Sequence, residues 1–190
     1  MKGIVFMDRD GTLIEDPGYL RDPMGVRIFP GAADALRMLA ARGYLLAVLS
    51  NQSGLARGKF TQAEMEAVHL AFLAKFRMEG VIFDAVEYCP HHPEGVIEEY
   101  RKACSCRKPA TGLAEAVLRR FEIPDACSRW MVGDKLIDVE LGMRLKARTV
   151  LVGTGHGASE RKEGERLGIL PDIFLPGMRE AATWILSEPG

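Results

Sequence analysis

Short apolar runs alternate with amphipathic stretches along most of the chain. Gly3–Met7 and Tyr44–Leu49 are continuous apolar runs of strand length, and Asp84–Tyr88, Arg129–Val132, Thr149–Val152 and Asp172–Leu175 repeat that signature. Between them the apolar period lengthens to that of a helix. Pro30-Gly31 opens one helix, which carries Leu36, Leu39 and Ala40 and stops at Gly43. Thr61-Gln-Ala-Glu64 has the form of a capping box, in which hydroxyl and carboxylate each satisfy a backbone donor. Behind it Met65, Val68, Phe72, Leu73 and Phe76 keep one face apolar. Leu113, Ala116, Val117 and Phe121 mark a further helix and Val139–Leu145 a shorter one, while Gly153–Gly168 reads as a mobile loop or short polar helix.

Strands alternating with helices predict an α/β fold of three layers, a mostly parallel sheet covered by helices on both faces. No repeat or linker divides the chain, so residues 1–190 are expected to form one domain, with a loop at 89–106 set apart by its chemistry. In such sheets ligands sit beyond the carboxyl ends of the strands.

The residues at those ends are polar in a consistent way. Asp8-Arg9-Asp10-Gly11-Thr12 follows the first run, and Ser50-Asn51-Gln52-Ser53-Gly54 the second. Arg107-Lys108-Pro109 opens the third helix, and Gly133-Asp134-Lys135 follows the fourth run, with Asp138 one helical turn later. Each fragment alone is no more than a polar turn. Together they bring carboxylates, a hydroxyl and an ammonium to one sheet edge, a set that can hold a divalent cation and a phosphoryl group. Asp8 is placed to attack phosphorus, and Asp10 to give a proton to the leaving oxygen and take one from water. A carboxylate attacking a phosphate dianion needs a hard cation, and Mg²⁺ held by Asp8, Asp134 and the main-chain carbonyl of Asp10 would supply it. Ser50 and Lys108 would brace the phosphoryl oxygens.

Cys89-Pro90-His91-His92 and Cys104-Ser105-Cys106 offer five soft or borderline ligands where tetrahedral Zn²⁺ takes four. Cys89, His91, Cys104 and Cys106 are the expected set, because Cys-x-His mirrors Cys-x-Cys. Four protein ligands leave no open position, so this zinc is expected to be structural and to pin the loop that carries Arg107 and Lys108. His69 and Cys127 read as packing residues, and His156 carries no assigned role.

Composition removes other classes. Hydrophobic residues make up 47% and charged residues 27%, with a net charge of -1, so nothing draws the chain to nucleic acid or an anionic membrane. The apolar run before Asp8 is too short for a secretory signal. The clustered cysteines suit metal in a reducing cytoplasm.

On these motifs the chain resembles the haloacid dehalogenase superfamily. The resemblance implies a Rossmann-like fold with Asp8 as the phosphorylated residue. The stretch from Thr12 to Pro30 is too short for a large cap, so the cap is expected to be minimal. Cys-x-His…Cys-x-Cys-Arg-Lys-Pro resembles two zinc-loop groups of the superfamily, the heptose bisphosphate phosphatases and the histidinol-phosphate phosphatases. The twelve residues between His91 and Cys104, with Asp16-Pro17-Gly18-Tyr19, are similar to the former. That resemblance implies substrate contacts from Asp16, Pro17, Gly18, Tyr19, Asn51, Gln52, Ser53, Arg107 and Lys135, with the Arg107 fork on a distal phosphate. It implies a small phosphorylated sugar as substrate, a C7 phosphate removed from a heptose 1,7-bisphosphate, the β anomer being the commoner case, and a product bound for nucleotide-activated heptose and then lipopolysaccharide core or surface glycoprotein. A monomer is the simple expectation.

Overall fold

The structure is a computed structural model and describes residues 2–188; the outermost residues of the expected 1–190 domain lie outside that range. Among the described residues, six strands form one sheet: β1 (Gly3–Met7), β2 (Tyr44–Asn51), β3 (Ala85–Cys89), β4 (Ser128–Gly133), β5 (Arg148–Val152) and β6 (Ile173–Leu175). The strand order is β3-β2-β1-β4-β5-β6, and every pairing is parallel. The helices are α1 (Ala32–Ala41), α2 (Gln62–Met78), α3 (Gly112–Arg120), α4 (Leu136–Arg144), α5 (Gly157–Leu167) and α6 (Met178–Ser187).

Period-two alternation in β1 sorts its side chains into two cores. Val5 and Met7 join α1, α2 and α6 on one face, where Leu36, Leu39, Phe72, Phe76 and Ile185 are buried. Ile4 and Phe6 join Ala114 and Val117 of α3 and Leu141 of α4 on the other. Each large apolar side chain so buried contributes roughly 2–3 kcal/mol, which is why the runs without polar interruption lie centrally. The capping box at α2 forms as expected, with the Glu64 amide donating to Thr61 Oγ1 at 3.2 Å and the Thr61 amide to Glu64 Oε2 at 2.7 Å.

Several boundaries differ from expectation. The inward stripe of α3 runs through Ala114, not Ala116, which is exposed, because the helix starts at Gly112 and this register turns residue 116 outward. Helix α4 begins at Leu136, not Val139, because the Asp138 carboxylate accepts from the Lys135 amide at 3.2 Å and caps it early. Gly157–Leu167 is a regular helix. It lacks an apolar stripe because it packs through Gly157 and Gly164, its only buried residues. Helix α6 was not expected.

Strand order reverses at β1, which lies between β2 and β4. Chain leaving β1 and chain leaving β4 therefore diverge around a crevice at their carboxyl ends, and that crevice holds the polar residues.

Candidate active site

Asp8 is the first residue past β1, fixed by its amide donating to the Val132 carbonyl at 3.0 Å. The chain then curls back, with the Leu13 and Ile14 amides both donating to the Arg9 carbonyl at 2.9 and 3.1 Å. Gly11 makes the curl possible. Its φ is +86°, and a Cβ there would overlap the Asp134 carboxylate.

Beneath this loop Asp8, Asp134 and Asp138 are all buried, and one carboxylate oxygen from each lies within 4.8 Å of the others. Burial, and then the charge of Asp8, pushes Asp134 up to about 7. Burial likewise pushes Asp138 up to about 6, against the pull of Lys108. Asp134 is held by the Thr12 hydroxyl at 3.3 Å and the His156 amide at 2.9 Å. Lys108 Nζ donates to Asp8 Oδ1 at 2.8 Å and to Asp138 Oδ1 at 2.7 Å. Burial disfavours its charge, but Asp138 and Asp8 more than offset that and hold its pKa above the usual lysine value. Three buried carboxylates facing one ammonium remain short of positive charge. Hard oxygen donors in that state suit Mg²⁺.

Lys108 reaches the cluster because Asn51, at the end of β2, clamps its peptide. Asn51 Oδ1 accepts from the Lys108 amide at 3.0 Å, and Asn51 Nδ2 donates to the Lys108 carbonyl at 3.1 Å. The Asn51 side-chain amide is thus engaged by the protein's own backbone.

The Asp10 side chain is not part of the Asp8–Asp134–Asp138 cluster. Its carboxylate receives Arg9 and the Gln52 amide, whose Nε2 donates to Asp10 Oδ2 and to Ser50 Oγ, each at 2.8 Å. On the far wall Asp16 Oδ1 accepts from the Gly18 amide at 2.8 Å. Asp16 Oδ2 lies 3.2 Å from Lys135 Nζ and 3.5 Å from His156 Nε2. These groups enclose a cavity of about 320 Å³ lined by Asp8, Asp10, Asp16, Gly18, Tyr19, Ser50, Asn51, Gln52, Ser53, Lys108 and Lys135, together with Arg9 and Phe60.

Pro17 and Arg107 do not line that cavity. Arg107 Nη1 donates to the His91 carbonyl at 3.3 Å. Burial, then Arg107 and Arg57, holds the His92 pKa low.

The sulfur–sulfur distances among Cys89, Cys104 and Cys106 are 3.0, 3.2 and 3.5 Å, and His91 Nδ1 lies 3.3 Å from Cys106 Sγ and 3.7 Å from Cys89 Sγ. Zn–S bonds of about 2.3 Å give tetrahedral edges of about 3.8 Å, so the four atoms stand near the vertices a zinc ion requires. Burial, then the contact with Cys106, pushes the Cys89 thiol up, a cost that a bound dication would relieve. His92 is turned elsewhere, with Nδ1 accepting from the Glu94 amide at 3.1 Å and Nε2 lying 2.9 Å from Arg57 Nη2.

Asp138, Arg9, Thr12, His156 and Phe60 belong to this site, and the sequence assigned none of them a role. Asp138 had a signal, one helical turn after Asp134. Arg9 had only its place between two aspartates.

A family model described as HAD-hyrolase-like matches residues 105–181. The D-glycero-beta-D-manno-heptose-1,7-bisphosphate 7-phosphatase of Escherichia coli (strain K12) is 41% identical over 185 residues, 97% of this chain and 88% of that protein. Its counterpart in Salmonella typhi is 41% identical over 160 residues, 84% of this chain and 85% of that one. The crystal structure of D,D-heptose 1.7-bisphosphate phosphatase from B. bronchiseptica, complexed with magnesium and phosphate, aligns with a TM-score of 0.85 at 28% identity, covering 98% of this chain and 99% of that one.

Proposed function

The chain belongs to the D-glycero-beta-D-manno-heptose-1,7-bisphosphate 7-phosphatase family of haloacid dehalogenase-like hydrolases, and from that membership we propose that it hydrolyses the C7 phosphate of the β-anomeric heptose bisphosphate. The observation that carries the chemistry is the buried Asp8–Asp134–Asp138 cluster, neutralised in part by Lys108 and opening on the cavity that holds Asp10. The sugar assignment rests on 41% identity across 97% of the chain.

Asp8 attacks phosphorus, and the phosphorus–oxygen bond to C7 breaks as Asp10 delivers a proton to that oxygen. Heptose 1-phosphate departs and Asp8 carries the phosphoryl group. Water then attacks the same phosphorus, Asp10 takes its proton, and inorganic phosphate leaves Asp8 free. Ser50 and Lys108 donate to the phosphoryl oxygens while charge spreads over them. Asp8, Asp134 and the Asp10 carbonyl would hold Mg²⁺, which when bound would shield the attacking carboxylate from the phosphate charge. Asp16, Gly18, Tyr19, Gln52, Ser53 and Lys135 contact the sugar, with the backbone of Asn51, and Arg107, outside the cavity lining, takes the distal phosphate.

Residues 1–190 act as one phosphatase domain, monomeric and cytoplasmic, feeding ADP-heptose and lipopolysaccharide core synthesis without nucleic-acid or membrane partners. No described helix is long and apolar enough to cross a membrane. The test is phosphate release with Mg²⁺ from heptose 1,7-bisphosphate and from histidinol phosphate. A clear preference for the bisphosphate is expected, and a preference for histidinol phosphate would overturn the sugar assignment.

A further inference from the structure

The mechanism leaves one buried cation unused. Arg9 is 3% exposed, although it carries a full charge in a loop. Asp8 does not account for it, since Asp8 already has Lys108. The guanidinium is committed to Asp10. Arg9 Nε lies 3.2 Å from Asp10 Oδ1 and 3.1 Å from Oδ2, and Nη2 lies 2.9 Å from Oδ2. A carboxylate on a loop turns among several rotamers unless something grips both oxygens, and a planar fork does that where a point charge does not.

The same carboxylate has a second hold. Gln52 Nε2 spends one hydrogen on Asp10 Oδ2 and the other on Ser50 Oγ. The orientation of this amide follows from the contact, because its carbonyl oxygen would be repelled by a carboxylate. Ser50 Oγ therefore accepts from Gln52, and its own proton is free to go to a phosphoryl oxygen in the cavity. Oδ2 of Asp10 receives Arg9 Nη2, Nε and Gln52, whereas Oδ1 has only the long contact to Nε. Oδ1 is the oxygen left to exchange a proton with substrate and water.

We propose that Arg9 is a positioning residue for this reaction: its guanidinium fork fixes Asp10 so that Oδ1 faces the leaving oxygen, and through Gln52 it sets the direction of the Ser50 hydroxyl. Arg9 borders the cavity, but both its Nε and its Nη2 are engaged by Asp10. It acts through Asp10, and the inference rests on the phosphatase reading above.

The experiment compares Arg9→Met, Arg9→Lys and Asp10→Asn with the wild type in pre-steady-state assays with Mg²⁺. One substrate is p-nitrophenyl phosphate, whose leaving group departs without a proton. The other is heptose 1,7-bisphosphate, whose C7 alkoxide needs one. Displacing the acid by about an ångström costs roughly 100-fold. All three variants are expected to release one equivalent of nitrophenol per enzyme in a fast burst and then turn over roughly 100-fold more slowly than wild type. With the sugar phosphate the first step itself slows to that degree, with little change in KM. Arg9→Lys keeps the buried charge but lacks the fork, and is expected to behave as Arg9→Met does. Should Arg9→Met not fold, Arg9→Lys decides alone. Equal slowing of the first step for both esters, an effect confined to KM, or wild-type rates in Arg9→Lys would overturn the role of Arg9 while leaving the phosphatase reading intact. A wild type inert toward both esters would defeat that reading first, and the role of Arg9 with it.

Discussion

Lys108 and Asp138 form an ion pair at 2.7 Å in which each side chain is only 1% exposed. A pair so deeply buried adds little when intact but is costly to break, because the partner left behind stays charged and dry. Lys108→Met is therefore expected to destabilise the metal-free protein by about 3–5 kcal/mol, read from urea unfolding. Activity should fall by roughly 100- to 1,000-fold, since the phosphoryl oxygens lose a donor. A variant as stable and as active as the wild type would remove Lys108 from both roles.

The raised carboxylates make metal binding depend on pH. Asp134 titrates at about 7 and Asp138 at about 6 in the metal-free site, against about 3.9 in an unfolded chain. Between those values the folded protein holds protons that the unfolded chain has released. Stability without metal should accordingly fall as pH rises from about 4 to about 7, then level off. Mg²⁺ must displace the same protons, so its affinity should rise over that range. Calorimetric titration in buffers of different ionisation heat reads this directly, with proton release at about pH 6 and almost none at about pH 8. Equal release at both would contradict the assignment.

Removing zinc should act at a distance from the chemistry. Cys106→Ala, or chelation, is expected to cost on the order of 4 kcal/mol, the range associated with loss of a structural metal. The residues 104–108 should loosen, so kcat drops although Asp8, Asp10 and Asp134 are intact. Zinc content, melting temperature and kcat measured on one sample would decide it, and an unchanged kcat would argue that Asn51 alone holds Lys108.

Arg107 separates binding from turnover. A charge-assisted hydrogen bond contributes about 1.5–3 kcal/mol, or roughly 10- to 150-fold. Arg107→Ala should raise KM for the bisphosphate by that factor and leave a monophosphate lacking the distal group almost unaffected. Parallel losses on both substrates would mean that Arg107 supports the loop and does not read the substrate.

Much of the fold was legible because the central strands are buried on both faces and so read as unbroken apolar runs. Helix α6 was missed although Met178, Ala181, Ala182 and Ile185 keep the helical period, because two of the four are alanines and carry a weak signal. Helix α5 was ambiguous for a different reason, since packing through glycine leaves no apolar stripe to find. In the site, residue types at strand ends pointed to the chemistry, but their pairing did not. That Asn51 clamps the Lys108 peptide, that Arg9 grips Asp10 and that His156 approaches Asp16 depend on contacts between separate loops or on one rotamer, which spacing along the chain does not encode.

The Asn51 clamp has a consequence for how such a site can diversify. Both main-chain groups of Lys108 are tied to the end of β2, and the cluster of Cys89, His91, Cys104 and Cys106 closes the loop just before it. The stretch between His91 and Cys104 is thus closed at both ends by that cluster, and it lies beside Arg57, with His92 Nε2 2.9 Å from Arg57 Nη2. Its length and composition can change without moving Lys108, which the proposed mechanism sets on the phosphoryl group. Preference for one phosphate ester over another can drift there while the machinery of bond cleavage stays in register, which makes that stretch the place to graft a new substrate choice onto an unaltered reaction.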